Sequence, residues 1–457
     1  MDLQFVPPLD PDHRPAIVFN RAFMSGVLES SSDSRLQIAM MKPDGSVTVH
    51  ETSVYHPDHP RHGENLFYAE RFLKTRLWQR GASRVLVAGP PDVVEHLVGT
   101  YSPEGARAFD AGFMGTVYGD FSITAVSPAD LPAPAERTVR LGRHLDGHRI
   151  GFDLGASDYK VSAVSDGEVV WAGEYPWEPR TAVDVSYHHS HIDAGLRAAA
   201  AHLPTVEAIG GSSAGVWIDN QVRVASLFRG IPPDAFARDA RTLFSRIRDE
   251  WDVPLEIVND GEVTALAGSM SLGADAVLGI AMGSSEAAGY VNRDGDITGW
   301  LNELAFAPID YSATAPIDEW SGDAGCGAQY FSQIGAIRLA GAAGIDLDAS
   351  TPPAERLVTI QALMAAGDSR AHRVYETIGC WLGYAVAHYA TLYDIDHVLV
   401  LGRVCSGNGG EVIVAHAEKV LAGLDETSIF LHIPDERLKR VGQSVAAASL
   451  PVRPGTP

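Results

Sequence analysis

The chain has 457 residues, of which 46% are hydrophobic and 20% are charged, and its formal net charge is −23. This length exceeds what one compact core accommodates, so two or three α/β domains are expected. The acidic balance argues against a nucleic-acid surface, which needs clustered Lys and Arg, and no stretch approaches the roughly 18 apolar residues of a membrane span.

The cysteine content predicts a reducing compartment. Cys326, Cys380 and Cys405 lie far apart and cannot form a disulfide framework. The first residues, MDLQFVPPLDPDHRP, have neither the basic region nor the apolar region of a secretory signal. We therefore expect a cytoplasmic protein with no membrane partner.

The N-terminal region, residues 1–145, predicts a small α/β unit. A hairpin turning at Asp44-Gly45 precedes a helix over 65–81, with Gly81 as its C-cap. A strand, a short helix and a last strand follow, up to about residue 126. The Pro-rich stretch 128–144 interrupts this pattern and is the best candidate for a linker.

A similar order returns after the linker. A hairpin over 149–172 turns at Asp166-Gly167, and a helix around 190–202 leads to the strand VEAIGGSSAG. Residues 34–90 therefore echo residues 149–215, which predicts a degenerate half-repeat. The alternative is that hairpin, helix and strand are simply a common sequence of elements. The first copy has no counterpart of Asp153, so we expect it to be structural or regulatory.

Two aspartates follow apolar runs and are candidates for chemistry. In DLGASD, Asp153 precedes Gly155 and the N–H groups of Ala156 and Ser157, which predict a phosphate-binding turn. In VPLEIVNDGEV, Asp260 follows a buried strand and precedes a helix, where a general base would be held rigidly. The alternatives are an ordinary turn for the first and a helix N-cap for the second.

Two further strands end in small residues. The strand VLGIAM leads to Gly283-Ser284-Ser285, then a strand returns to a turn at Asp294-Gly295. The strand HVLVLG ends at Gly402, where the absence of a side chain would let an adenine and ribose lie against the backbone. Either feature alone is also typical of an ordinary turn.

From about residue 150 to 450 the chain resembles the ROK (repressor, open reading frame, kinase) sugar kinases of the actin-like ATPase superfamily. DLGAS is similar to the DxGxT phosphate motif, and AIGGSSAGVWID to the Gly-rich strand and turn. VNDGEVTALAGS resembles VxNDxxxAAxxE, AMGSSEAAGYVNRDGDITG the second phosphate hairpin, and LNELAFAPID the GEIGHxxxD segment. The resemblance implies an α/β, ribonuclease H-like fold with two lobes, 146–275 and 276–457, after the extra N-terminal half-repeat.

The resemblance also implies roles for individual residues. Asp260 would be the general base. Asn259, Glu303 and Gly215 would bind the sugar. Asp153 would hold magnesium and phosphate. The remaining ATP-binding positions would be Gly155, Ser157, Gly283, Ser284, Ser285 and Gly402.

The chain departs from the family pattern at two places. The zinc-binding histidine of the family is replaced by Phe306, and only Cys326 remains of three cysteines, so we expect no zinc. The second phosphate hairpin reads GSSEAAG, which places Glu286 where phosphates would approach. A carboxylate there would repel phosphate unless magnesium or a cation such as Arg403 intervened.

These observations predict an ATP-dependent, magnesium-requiring kinase that phosphorylates a sugar or a sugar-like polyol. Its partners would be small molecules rather than nucleic acid or membrane, and a homodimer is open to it. The alternative is a catalytically weak regulator that binds a sugar or a nucleotide. The altered GSSEA loop favours the regulator, and the retention of Asp153 and Asp260 favours the enzyme.

Overall fold

The computed structural model describes residues 3–136, 141–434 and 442–453. The N-terminal region contains α1 (Ala16–Glu29), β1 (Asp33–Met41), β2 (Val47–Tyr55), α2 (Glu64–Arg80), β3 (Arg84–Ala88), α3 (Pro91–Thr100), α4 (Ala108–Tyr118) and β4 (Ser122–Ala125). Residues 137–140, within the expected linker, lie outside the described residues. No helix of the described residues is both long and apolar enough to cross a membrane.

The first lobe is a five-stranded sheet with helices. Its elements are β5 (His148–Leu154), β6 (Asp158–Ser165), β7 (Glu168–Pro176), α5 (Val185–Ala200), β8 (Ala208–Ser213), β9 (Val216–Ile218), β10 (Gln221–Val224), α6 (Pro233–Ala235), α7 (Leu243–Trp251), β11 (Leu255–Asn259) and α8 (Asp260–Leu272). The strand order is β11-β8-β5-β6-β7. Because β5, β8 and β11 are parallel, their carboxyl ends meet at one edge.

The second lobe has a four-stranded sheet in the order β13-β12-β14-β15. Its elements are β12 (Val277–Met282), β13 (Glu286–Val291), α9 (Gln333–Ala342), α10 (Pro353–Ala365), α11 (Ser369–Tyr389), β14 (His397–Leu401), α12 (Asn408–Gly423), β15 (Phe430–His432) and α13 (Gln443–Ala448). The strands β12 and β14 are parallel, so Gly283 and Gly402 follow neighbouring strand ends.

The N-terminal region repeats the first lobe in the order of its elements but not in its topology. The strand β3 pairs with β1 antiparallel, whereas β8 pairs with β5 in parallel. Two strands precede α2 but three precede α5, so the chain enters the two helices in opposite directions. The two regions therefore share the order of these elements but not their strand directions, and the half-repeat stays a prediction.

The three segments expected from the sequence are not structurally separate, because elements of one segment pack on another. Helix α1 packs on α11, and buried residues of the N-terminal region and the second lobe form one continuous hydrophobic core. Helix α13 returns to the first lobe and packs on β5 and β8. Gly151 and Gly210 make this packing possible, because a Cβ atom there would lie 1.8 Å from the Ser444 carbonyl oxygen and 1.7 Å from that of Ala447. The boundaries at 145 and 275 stay a prediction about sequence segments.

Candidate active site

The carboxyl edge of the first-lobe sheet brings the two predicted aspartates together. Asp153 on β5 is in register with Ser212 on β8, and the next residue, Ser213, is in register with Asn259 on β11. Asp260 begins α8 directly after β11. The Asn259 side chain caps this helix by accepting from the Gly261 N–H at 2.7 Å. The alternative that Asp260 is the N-cap is therefore wrong, and its carboxyl group occupies the first helical turn.

Three half-buried carboxyl groups influence one another. Burial, and next the charge of Asp153, raise the pKa of Asp260 to about 6. Burial, and next the charge of Asp260, raise the pKa of Glu303 to about 7. Burial also raises the pKa of Asp153, whereas a hydrogen bond with Ser212 and the charge of Lys160 oppose the rise. Asp260 is thus coupled to Asp153 on one side and to Glu303 on the other.

The three residues expected to bind a sugar line one cavity between the lobes. Gly215, Asn259 and Glu303 contribute to its wall, together with Trp217, Trp300 and Tyr118. Asn259 also donates from Nδ2 to the Gly215 carbonyl oxygen at 2.8 Å, which fixes the two residues to each other. Gly215 has a φ of +115°, which favours glycine. The cavity has a volume of about 70 Å³, so it has room for a few water molecules in this conformation.

The two turns expected to bind phosphate end strands of opposite lobes. Gly155 donates its N–H to the Asp158 carbonyl oxygen at 2.9 Å, and Ser157 in the same turn is exposed. In the second turn Gly283 donates its N–H to the Ser285 carbonyl oxygen at 3.0 Å. Ser284 and Ser285 are exposed. Both turns therefore present small residues to solvent.

Glu286 does not face the phosphate turn. It is 4% exposed, and its Oε1 accepts from the Tyr389 hydroxyl at 3.5 Å. A Cβ atom on Gly327 would lie 2.0 Å from its Oε2. Burial raises the pKa of Glu286 to about 8, so the group is largely neutral at pH 7. The charge repulsion expected from the sequence is thereby relieved without Arg403.

An apolar pocket of about 200 Å³ adjoins the second turn. Its lining includes Thr264, Gly268, Ala281, Gly402 and Gln443. Gly402 has a φ of +94°, and a Cβ atom there would lie 2.4 Å from the Met282 carbonyl oxygen. Gln443 donates from Nε2 to Ser212 Oγ at 3.3 Å, and Ser212 is in register with Asp153 on the neighbouring strand. Gln443 thus links this pocket to the strand ends beside Asp153.

Sequence reasoning missed several residues around the cavity. Glu262 also lines it, and burial raises the pKa of Glu262 to about 7. Its carboxyl group accepts from Asn302 Nδ2 and from the Tyr290 N–H. Glu262 could have been identified from the sequence, because it lies only two residues after Asp260. Tyr118 had no local signal and enters the cavity only through tertiary packing.

The position of the family histidine is occupied by an aromatic cluster. Phe306 lies 4.4 Å from Trp78 and 5.5 Å from Phe109, between ring centroids. Cys326 is buried, and burial raises the pKa of its thiol to about 12. These groups offer no set of four ligands, and the expectation of no zinc stays a prediction.

An ion network from the N-terminal region holds the segment that contains Cys326. Asp323 accepts from Arg71 at 2.8 and 3.1 Å, and Arg107 lies 2.8 Å from it. Lys74 lies 3.3 Å from Asp323 and donates to Asp110. All of these groups are largely buried. The segment after Glu303 is therefore fixed to α2 by paired charges.

A second link joins the start of the chain to this segment. His13 Nδ1 lies 3.2 Å from Asp310 Oδ2, and Asp10 is close enough for the three side chains to hold one metal ion. The Asp310 oxygens already accept from the Arg14 N–H, the Ser312 N–H and the Tyr330 hydroxyl. Asp310 therefore fixes the start of the chain through the hydrogen bond from the Arg14 N–H and the close approach of His13.

Comparison with known proteins gives matches among solved structures. No family model and no curated protein matches the chain. The ROK hexokinase from Thermus thermophilus matches with a TM-score of 0.52 and 17% identity, over 66% of this chain and 97% of that one. A ROK family transcriptional regulator, described as a homologue of the E. coli MLC protein, matches with a TM-score of 0.53 and 18% identity, over 67% and 78%.

At these identities the likeness shows the fold alone. The chain has the two-lobe α/β fold of ROK proteins over about two thirds of its length. Both a kinase and a regulator share that fold, so the activity must be argued from the site.

Proposed function

We propose that the protein is an ATP-dependent, magnesium-requiring kinase that phosphorylates a hydroxyl group of a sugar or a sugar-like polyol. The observation that carries the proposal is the position of Asp260, which is coupled to Asp153 near the phosphate turn and to Glu303 in the cavity wall. A sugar hydroxyl that binds beside Glu303 would therefore lie next to Asp260, which also neighbours Asp153 and the phosphate turn.

Asp260 has the acidity that a general base requires. With a pKa of about 6, it is mostly deprotonated at pH 7 and still basic enough to accept a proton as the hydroxyl attacks. Its position at the start of α8 fixes the direction of the carboxyl group. Asp260 would therefore hold the acceptor hydroxyl and receive its proton.

The donor side has the residues that magnesium and ATP require. Asp153 supplies carboxylate oxygens, which are the ligands magnesium prefers, and no ion pair joins it to Lys or Arg within 3–136, 141–434 and 442–453. Magnesium, when bound, would neutralise phosphate charge. The turns at Gly155–Ser157 and Gly283–Ser285 would hold the phosphates, and the pocket beside Gly402 would receive the adenosine.

A sugar can enter the cavity only if the two lobes separate. The cavity between Gly215, Asn259 and Glu303 is too small for a sugar as it stands, so we infer that the lobes open to admit one and close to exclude water. Glu303, with a pKa of about 7, can accept or donate a hydrogen bond near neutral pH. The buried cysteines support a reducing, cytoplasmic setting.

A regulator that binds a sugar without phosphorylating it is the second candidate. The likeness to a ROK transcriptional regulator favours it. Against it, Glu286 is buried beside Tyr389, so its carboxyl group would not exclude ATP from the phosphate turn.

The test is ADP formation from ATP and magnesium with a panel of hexoses, N-acetylhexosamines and polyols. Sugar-dependent turnover that falls in Asp260→Asn supports the kinase. Sugar binding in calorimetry, without nucleotide binding and without turnover, would support the regulator instead. Asp120→Asn, at an exposed aspartate outside the cavity, is the control for nonspecific loss.

A further inference from the structure

Trp177 joins the end of β7 to the candidate phosphate turn, Gly155–Ser157. It directly follows Pro176, the last residue of β7. Its indole N–H donates to the Gly155 carbonyl oxygen at 2.9 Å, and its backbone N–H donates to the Ser157 carbonyl oxygen at 3.1 Å. One residue therefore binds the carbonyl groups at both ends of the turn.

The bond from the indole sets the direction of an N–H group in the turn. In a trans peptide the C=O group and the following N–H group point in opposite directions, and no cis peptide bond occurs among the described residues. Because the indole holds the Gly155 carbonyl oxygen, the Ala156 N–H is directed away from Trp177. The Gly155 N–H already donates within the turn, to the Asp158 carbonyl oxygen. The Ala156 N–H is therefore the first N–H of the turn that is open to a phosphate oxygen, and Trp177 sets its direction.

Trp177 is held by the core, whereas the side chains of the turn are not. Ala156 and Ser157 are exposed, so packing of their side chains does not fix the turn. Trp177 is 4% exposed and belongs to the hydrophobic core of the first lobe. Its ring lies 5.2 Å from the Tyr159 ring and 5.9 Å from the His188 ring, between centroids. The indole donor is thus presented from a packed position, which is what a preorganised site requires.

We propose that Trp177 is a positioning residue for the candidate phosphate turn. Its indole N–H fixes the Gly155 carbonyl group and thereby orients the Ala156 N–H, which binds a phosphate oxygen of ATP. This inference rests on the proposed function, because it concerns the same turn. Trp177 acts through the turn and does not itself contact the nucleotide. Loss of the indole N–H should therefore weaken binding of the phosphates and spare binding of adenosine and of the sugar.

The test compares Trp177→Phe with Trp251→Phe. Trp177→Phe keeps an aromatic ring and removes the indole donor. Trp251 is a matched control in the same lobe, because its indole N–H also donates a hydrogen bond, to Asp193 Oδ1 at 3.2 Å, but not to the turn. Calorimetry would measure the binding of a non-hydrolysable ATP analogue with magnesium and, separately, the binding of adenosine.

We expect Trp177→Phe to weaken binding of the ATP analogue by roughly 3- to 10-fold, the effect of one hydrogen bond, and to leave adenosine binding unchanged. We expect Trp251→Phe to change neither. A general structural defect would weaken both ligands, because both would use the same adenosine pocket. In turnover assays of Trp177→Phe, the KM for ATP should rise while the affinity for the sugar stays the same.

A second replacement separates the lost donor from any change in packing. Incorporation of 3-benzothienylalanine at position 177 keeps the two-ring shape and puts sulfur in place of the indole N–H. This variant should show the same loss of affinity for the ATP analogue as Trp177→Phe, with an unchanged melting temperature.

Three results would overturn the inference, and they differ in what they say about the proposed function. If the wild type binds the ATP analogue and the benzothienylalanine variant binds it equally well, the assignment of Trp177 is wrong and the kinase proposal survives. The same holds if adenosine binding falls by the same factor as binding of the analogue. If the wild type does not bind the analogue in the presence of magnesium, both proposals fail.

Discussion

Glu303 donates its backbone N–H to the carbonyl oxygen of Trp78 at 3.0 Å, so a residue of the candidate site is fixed directly to the end of α2. The preceding residue, Asn302, donates in the same way to Gln79. Arg80 completes this contact, with its guanidinium 3.3 Å from the centre of the Trp300 ring. The N-terminal region therefore supports the cavity wall rather than hanging from the lobes as a separate unit.

The first prediction concerns Asp260. Asp260→Asn should lower turnover by about 100-fold or more and leave sugar binding nearly intact, since only proton removal is lost. Wild-type activity should rise with pH through about 6, as Asp260 deprotonates. Steady-state rates from pH 5 to 8 measure both effects. Near-normal turnover in Asp260→Asn would remove this residue from the mechanism.

The second prediction concerns the pH dependence of stability at Glu286. Burial raises its pKa to about 8 in the folded protein. The stability that the neutral group contributes is therefore fully present below pH about 4.5 and is lost as the pH rises through 8. Glu286→Gln cannot ionise and should be more stable than the wild type at pH 9, with little difference at pH 5. Urea unfolding at both pH values measures this. Exposed Glu95→Gln is the control, and an equal decline in Glu286→Gln and wild type would contradict the prediction.

The positions of the central site residues were predictable because the signal is local. Asp153 and Asp260 each follow an apolar strand directly, and parallel strand ends converge on one edge of a sheet. The same argument places Gly283 and Gly402 beside each other. The order of strands along the chain was therefore enough to predict which of these residues lie near one another.

The N-terminal contribution to the site was not predictable in this way. Helix α4, AFDAGFMGTVY, contains two glycines and two β-branched or small polar residues near its end, so its helix propensity is low. It was missed, and with it Tyr118. Helix α1 was also missed, because its opening AIVF is typical of a strand. Packing of buried residues such as Met114 and Phe23 stabilises both helices instead.

The third prediction concerns the turn at Gly402. Gly402→Ala should weaken binding of a non-hydrolysable ATP analogue by about 10-fold or more, since a Cβ atom 2.4 Å from the Met282 carbonyl oxygen must displace the wall of the pocket. Gly407→Ala is the matched control. Gly407 also has a positive φ, of +70°, but open space around its Cβ position. Equal effects in the two variants would show backbone strain rather than pocket geometry as the cause.

The fourth prediction concerns metal content. The purified protein should contain no stoichiometric zinc, because Phe306 offers no ligand atom and burial holds the Cys326 thiol in its protonated form. A zinc-selective chelator, added with magnesium in excess, should leave the melting temperature unchanged. Elemental analysis that finds one tightly bound zinc ion per chain would contradict this.

The fifth prediction concerns Asp323, which joins Arg71, Lys74 and Arg107 beneath the Glu303 segment. Asp323→Asn should lower the free energy of unfolding by about 3–5 kcal/mol, because the three buried cations are then balanced by only two carboxylates, Glu70 and Asp110. Denaturant unfolding measures the loss, with Asp239→Asn in the surface pair with Arg238 as the control. At permissive temperature the folded variant should also bind sugar more weakly, since the segment after Glu303 loses one of its links to α2. Unchanged stability would show that the network does not support the site.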